Sequence, residues 1–249
     1  MDLTGNTVLI TGGGSGIGGG LASALHRRGN RVVIAGRRPK PLQNMVAGHP
    51  GMGYLEFDPA DTDGVAAFVG RVRSEYPALN VVINNAAMVE FEDVTDPDFD
   101  MVRAMVATNL VGPIALTAGL LPALRAQPQA AVVNVTSALA FVPMAASATY
   151  CATKAALHSY TESLRVALRD SAVRVIEVIP PRVDTDAQRG LEPVPDTTSV
   201  DAFVAAVLDE IGTDVDEVVV PTARALRHAA RDGAYDAVFD VVNQRREAS

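Results

Sequence analysis

"TGGGSGIG", residues 11–18, follows a short β-branched run, "TVLIT" (7–11), and opens a helical pattern that continues to about Gly29. Strand, glycine turn and helix in that order form the entry to a phosphate-binding βα unit. A turn this tight needs residues that tolerate positive φ and let the backbone approach a pyrophosphate. The helix that follows offers unpaired N–H groups and a partial positive charge to the phosphates. Glycines 12, 16 and 18 give G-x-x-x-G-x-G, a longer first gap than in G-x-G-x-x-G. The candidate cofactor contacts here are Gly12, Ser15, Gly16, Ile17 and Gly18. The competing reading is a plain strand–helix connection.

Outward from this unit, short apolar runs alternate with helical patterns. "RVVIAG" (31–36), "GYLEFD" (53–58), "NVVINNA" (80–86), "AAVVNVTS" (130–137), "VRVIEVIPP" (173–181) and "DEVVVP" (216–221) read as strands. Most are continuously apolar, as in a parallel sheet covered on both faces. Helices are expected near 62–76, 97–124, 148–170 and 201–211, with two short ones within 222–249. Asp96 before Pro97 reads as the N-cap of the second of these. The expected fold is α/β: one Rossmann-type doubly wound parallel sheet with helices on both faces, a single domain over 1–249. The proline-rich stretch within 182–200 reads as a long loop rather than a domain boundary.

Composition narrows the function classes. The 249 residues, 48% hydrophobic, supply ample core for such a domain. A net charge of −8 and a pI near 5.0 argue against general affinity for nucleic acid or anionic lipid. One cysteine cannot form an internal disulfide, and the N-terminus has no basic n-region, so a cytoplasmic protein is expected. No apolar run approaches the ~20 residues of a membrane span. The histidines at 26, 49, 158 and 228 are dispersed and no cysteine pair exists, so no metal site is expected.

Two further features point to chemistry. An acidic residue after the second strand would hold the ribose 2′-OH of NAD, but "AGRRPK" places Arg37 and Arg38 there. A guanidinium matches a phosphate bidentately, which favours NADP(H) over NAD(H); the alternative is two solvated arginines. In "YCATK" (150–154), Tyr150 and Lys154 are four residues apart and share a helix face. Only two of the 21 basic residues are lysines. An ammonium beside a phenol favours the phenolate and would fit it for proton transfer. Cys151 lies about 100° round the helix from Tyr150 and reads as a core or interface thiol. His158, one turn beyond Lys154, reads as a partly buried helix histidine.

With "TGGGSGIG", Asp58, "NNAA" (84–87), Asn109, Ser137, Tyr150, Lys154 and "PPRVDT" (180–185) in this order, the sequence resembles the classical short-chain dehydrogenase/reductase family over about residues 4–220. The double proline and helical tail resemble its DltE-like subgroup. The resemblance implies Tyr150 as catalytic acid, Ser137 as the hydroxyl that hydrogen-bonds the reacting oxygen, and Lys154 as a ribose-binding residue that lowers the tyrosine pKa. It implies Asn109 as a helix-kinking residue that holds a water in a proton relay. Asp58 would contact the adenine, and Asn85 and Ala86 would line the adenosine side. Pro180, Val183 and Thr185 would fix the carboxamide end of the cofactor. Taken singly, Ser137 also reads as a cap, Asn109 as a buried polar residue satisfying backbone, and Asp58 as a turn former.

Two departures stand out: Ala87 and Pro181 replace the family's usual glycines, altering close packing and stiffening the substrate loop respectively. The tail lacks the usual "VDGG"-like ending that helps form one tetramer interface. A homodimer or homotetramer through the helices near 97–124 and 148–170 is expected. The apolar run 138–146 suggests a small-molecule carbonyl or alcohol substrate with a nonpolar part. The expected reaction is NADP(H)-dependent oxidoreduction. A redox-neutral epimerase or dehydratase, or a non-catalytic nucleotide-binding regulator, is the alternative.

Overall fold

The computed structural model describes residues 1–185 and 197–244. The chain alternates strand and helix: β1 (Thr7–Thr11), α1 (Gly16–Arg27), β2 (Arg31–Gly36), α2 (Pro39–Ala47), β3 (Gly53–Glu56), α3 (Val65–Glu75) and β4 (Val81–Asn84). It continues with α4 (Phe99–Val106), a π-helical turn (Ala107–Val111), α5 (Gly112–Arg125), β5 (Ala130–Val135), α6 (Ala148–Leu168) and β6 (Val173–Ile179). A short pair, β7 (Val183–Asp184) and β8 (Thr198–Ser199), precedes α7 (Val200–Ile211), β9 (Glu217–Val219), α8 (Arg224–His228) and α9 (Tyr235–Gln244).

Seven strands form one sheet in the order β3-β2-β1-β4-β5-β6-β9, every pair parallel. All carboxyl ends therefore lie along one edge. The order reverses between β1 and β4, and the connections diverge there to leave a crevice. The two-residue side-chain period of a strand sorts the core into two halves. Val8, Ile10, Val32 and Ile34 pack on one face with Leu21 and Leu25 of α1 and Phe203 and Val207 of α7. Leu9, Val33 and Val82 pack on the other with Phe68 and Val72 of α3, Leu116 and Leu120 of α5, and Leu164 of α6. Each such fully buried aliphatic or aromatic side chain contributes about 1.5–3 kcal/mol. The doubly wound single domain expected from the apolar runs is the observed fold.

Three local expectations need correction. The α4 N-cap is Asp98, not Asp96: its Oδ1 accepts from the N–H groups of Asp100 (2.9 Å) and Met101 (3.3 Å). Both aspartates suit a cap, and only Asp98 stands where its carboxylate reaches the first-turn N–H groups. A nine-residue helix, α2, fills the stretch between β2 and β3, with Pro39 in its first turn. On length and composition alone, the continuous helical run Phe99–Arg125 could cross a membrane, contrary to the reading from apolar runs. Its Met105, Leu116, Leu120 and Leu124 are instead buried within the domain. The substrate loop expected over 182–200 falls partly outside the described residues, at 186–196.

Candidate active site

The glycine turn leaves β1 at the crevice. Gly12 has φ +67° and Gly16 φ +54°, a region side chains rarely enter. Space is equally restrictive. A Cβ at Gly12 would lie 2.9 Å from Ala86 Cα, and one at Gly18 would lie 2.4 Å from both Asn85 Nδ2 and the Gly12 carbonyl oxygen. Asn85 makes this crowding specific, since its Nδ2 donates to the Thr11 carbonyl at 3.0 Å. The Thr11 hydroxyl accepts from the N–H groups of Asn85 (3.0 Å) and Ala86 (3.1 Å), locking the end of β1 to the end of β4. Ser15 occupies the N-cap position of α1 in an extended conformation, and Ile17 packs half-buried on the core. The turn is thus a mostly glycine backbone cradle with Ser15 at its helical end, and it suits a pyrophosphate.

Arg37 and Arg38 stand exposed after β2. Among the described residues neither guanidinium is paired with an acid. Arg38 borders an open depression of about 430 Å³ together with Gly14 and Ser15. A 2′-phosphate fits this donor set; a bare ribose hydroxyl does not need it. Asp58 is exposed after β3, and its Oδ1 accepts from the Ala60 N–H at 2.9 Å, so the turn-forming role is present. Val183 is buried in β7, and Thr185 lies against the turn, its Cγ2 3.3 Å from where a Gly16 Cβ would stand.

On the other side of the crevice, Ser137 follows β5 and Tyr150 enters the first turn of α6. The Ser137 hydroxyl lies close enough to the Tyr150 phenol to favour its ionised form. Ser137 Oγ accepts from the Leu139 N–H at 3.1 Å, so the cap reading holds. The Tyr150 phenol is pushed up to about 12 by burial; the nearby Ser137 hydroxyl partly offsets this, and the Cys151 side chain adds to the rise. Lys154 makes no contribution, which differs from the expected depression of the tyrosine. The reason is geometric: its Nζ stands 5.8 Å from the Tyr150 ring centre and donates to the Val135 carbonyl at 2.8 Å. Lys154 is itself buried, and burial lowers its pKa to about 8 against an upward pull from Glu177.

Asn109 lies in the π-helical turn and is fully buried. Its Oδ1 accepts from Met88 N–H (2.7 Å), and its Nδ2 donates to Met88 carbonyl (2.8 Å) and Thr153 Oγ1 (3.1 Å). It therefore ties the β4–α4 loop to α6 one residue before Lys154. A π turn also shifts the backbone ladder and frees a carbonyl from its usual partner. Cys151 is a buried thiol whose pKa burial raises, facing Met144 rather than the crevice.

The family profile described as short chain dehydrogenase matches residues 6–196. The chain belongs to the short-chain dehydrogenase family. It is 39% identical over 250 residues to the uncharacterized oxidoreductase DltE of Bacillus subtilis, covering 98% of each chain. A short chain dehydrogenase from Burkholderia cenocepacia, solved in complex with NADP, is 30% identical with a TM-score of 0.84, over 96% of this chain and 99% of that one. A short-chain dehydrogenase from Sphingobium yanoikuyae, solved in complex with NADPH, is 27% identical with a TM-score of 0.83, over 94% and 95%.

In this short-chain dehydrogenase the two glycine replacements have different settings. Ala87 is exposed. Pro181 follows the buried Pro180, whose carbonyl accepts from the Ala138 N–H at 2.9 Å and holds the loop after Ser137. Sequence reasoning singled out neither Thr11, Thr136 nor Glu177. For Glu177 the signal was present: an acid in the middle of the buried run "VRVIEVI" has to be there for a partner.

Proposed function

We propose that this short-chain dehydrogenase transfers hydride between NADP(H) and a carbonyl/alcohol pair, with Tyr150 as general acid/base. The observation that carries the reading is the buried Tyr150 phenol with the Ser137 hydroxyl acting on it and Lys154 Nζ 5.8 Å from its ring, beside a glycine turn with no room for further side chains. Gly12, Gly16 and Gly18 would hold the pyrophosphate, Arg37 and Arg38 the 2′-phosphate, Lys154 the ribose, and Val183 and Thr185 the carboxamide end. When bound, NADPH supplies the hydride that adds to the carbonyl carbon. Tyr150 gives its phenolic proton to the carbonyl oxygen as that charge develops, and Ser137 steadies the same oxygen. With its pKa pushed up to about 12, Tyr150 holds its proton at neutral pH, the state that reduction requires. Asn109 would hold the water that returns the proton.

The buried Ala138 and Val142, with Phe141 and Met144 beside them, favour a substrate with an apolar portion. Exposed Phe99 and Val166 on α4 and α6 favour pairing of two copies through these helices. A panel of carbonyls followed by NADPH absorbance tests the reaction. Stoichiometric NADPH oxidation is expected; substrate turnover without it would establish redox-neutral chemistry instead.

A further inference from the structure

Lys154 stands in the buried stripe of α6 with Cys151, Leu157 and Thr161. Among the described residues its one hydrogen-bond partner is a neutral carbonyl, that of Val135. An ammonium taken out of water this way is costly unless a counter-charge lies close. The acid that acts on it is Glu177, in the middle of β6 and with no exposure to solvent. Glu177 Oε1 accepts from Thr136 Oγ1 at 2.6 Å, and its Oε2 pairs with His158 Nδ1 at 2.8 Å. Thr136 lies between Val135, which holds the lysine, and Ser137. His158 lies one helical turn beyond Lys154 on the same face. The acid is thus fastened to both supports of the catalytic centre.

Charges around this acid are paired among themselves. From α6, Glu162 approaches His158 Nε2 at 3.7 Å. From α8, Arg227 forks onto Glu217 of β9 at 2.8 and 3.0 Å and stacks over Phe141 at 4.4 Å. Phe141 in turn meets the His158 ring edge-on at 4.7 Å. Donor atoms of His158, Glu177 and Glu217 lie within 4.8 Å of one another. With the Arg227 guanidinium already seated on Glu217 and the Thr136 hydroxyl on Glu177, these groups read as an ion-pair network rather than a cation site.

We infer that Glu177 is a positioning residue for the catalytic centre: it supplies the buried counter-charge of Lys154, and through Thr136 and His158 it fixes the strand end bearing Ser137 against the helix turn bearing Lys154. The part that concerns turnover rests on the proposed function; the part that concerns the lysine does not.

The two lysines, Lys40 and Lys154, allow a direct test. Carbon-13 lysine labelling gives two side-chain signals, with exposed Lys40 as internal reference. In the wild-type protein the Lys154 signal is expected to titrate below the usual lysine range, at about 8. Glu177→Gln keeps the shape and removes the charge, so the Lys154 titration moves to lower pH while that of Lys40 stays. The alkaline limb of the kcat profile for NADPH-driven reduction moves with it. Thr136→Val loosens the acid without removing it and shifts Lys154 in the same direction by less. An unmoved Lys154 titration in folded Glu177→Gln overturns the inference. So does a uniform loss of kcat at every pH with the limb in place, the result of a merely structural role. If Glu177→Gln does not fold, Thr136→Val decides by the same criterion. Should wild-type protein oxidise no NADPH with any carbonyl, the proposed reaction fails while the lysine titration still decides the role of Glu177.

Discussion

The turn after β1 and the floor beneath α6 face each other across one crevice and are built by opposite means. The turn works by leaving side chains out: Gly12 and Gly18 have no room for a Cβ, and Asn85 and Thr11 fill the space that remains. The floor works by putting charge in: Lys154 and Glu177 are both buried, and Thr136, His158 and a backbone carbonyl surround them. A backbone cradle binds any pyrophosphate and carries little information about chemistry. A buried ion network is costly to build and is kept where it sets the state of a reacting group. Cofactor recognition and catalysis should therefore separate under mutation.

The largest expected effect is on the catalytic side. Tyr150→Phe should lower kcat by about 10²–10⁴-fold, the usual worth of a positioned acid, while NADPH binding and thermal stability stay near wild type. Near-normal turnover in that variant would break the assignment of roles. On the cofactor side, Arg37→Ala with Arg38→Ala should weaken NADPH by about 10–100-fold, the loss of charge-assisted hydrogen bonds, and leave NADH almost unchanged. Equal losses for both cofactors, by fluorescence titration, would remove the 2′-phosphate role.

A smaller effect sharpens the contrast. Gly18→Ala must push its methyl group into Asn85 and the Gly12 carbonyl, 2.4 Å away. Overpacking of this kind costs about 1–3 kcal/mol in stability and should raise the NADPH Kd before it changes kcat. A loss of kcat at saturating NADPH with Kd intact would show that the two sides are coupled.

The smallest effect comes from the edge of the floor. Hydrogen bonding to Glu177 raises the pKa of His158 above its usual 6.5, against the opposing effect of burial. A raised base contributes stability that is complete below 6.5 and is lost as pH rises through the folded-state value. Melting curves of wild type and His158→Gln should differ most at acidic pH and converge in alkaline buffer. A gap that widens with pH would contradict the pairing.

Legibility followed the same division. The cradle could be read from the chain because glycines at 12, 16 and 18 announce a backbone requirement, and the apolar runs announce buried parallel strands. Tyr150, Lys154 and Ser137 were legible as residue types at a spacing. Their electrostatics were not, because burial is a property of packing: the phenol rises to about 12, the ammonium falls to about 8, and the expected help from lysine to tyrosine is absent over 5.8 Å. The Asp96 cap failed for a simpler reason, since two aspartates two residues apart satisfy one pattern and only geometry chooses Asp98. Glu177 was visible in "VRVIEVI", yet its partners come from positions 136 and 158, which no local window joins.

Asn243 in α9 ties the far side of the crevice to the helical tail. Its Oδ1 accepts from the Ala145 N–H at 2.8 Å, and its Nδ2 donates to the Pro143 carbonyl at 3.2 Å, across about a hundred residues of chain. The loop that leads from Ser137 to Tyr150 is thus clasped by a helix that joins no strand of the sheet. Two hydrogen bonds open at far lower cost than a seven-stranded sheet, so amide hydrogens on this side of the crevice should exchange with solvent before those of β1 and β4.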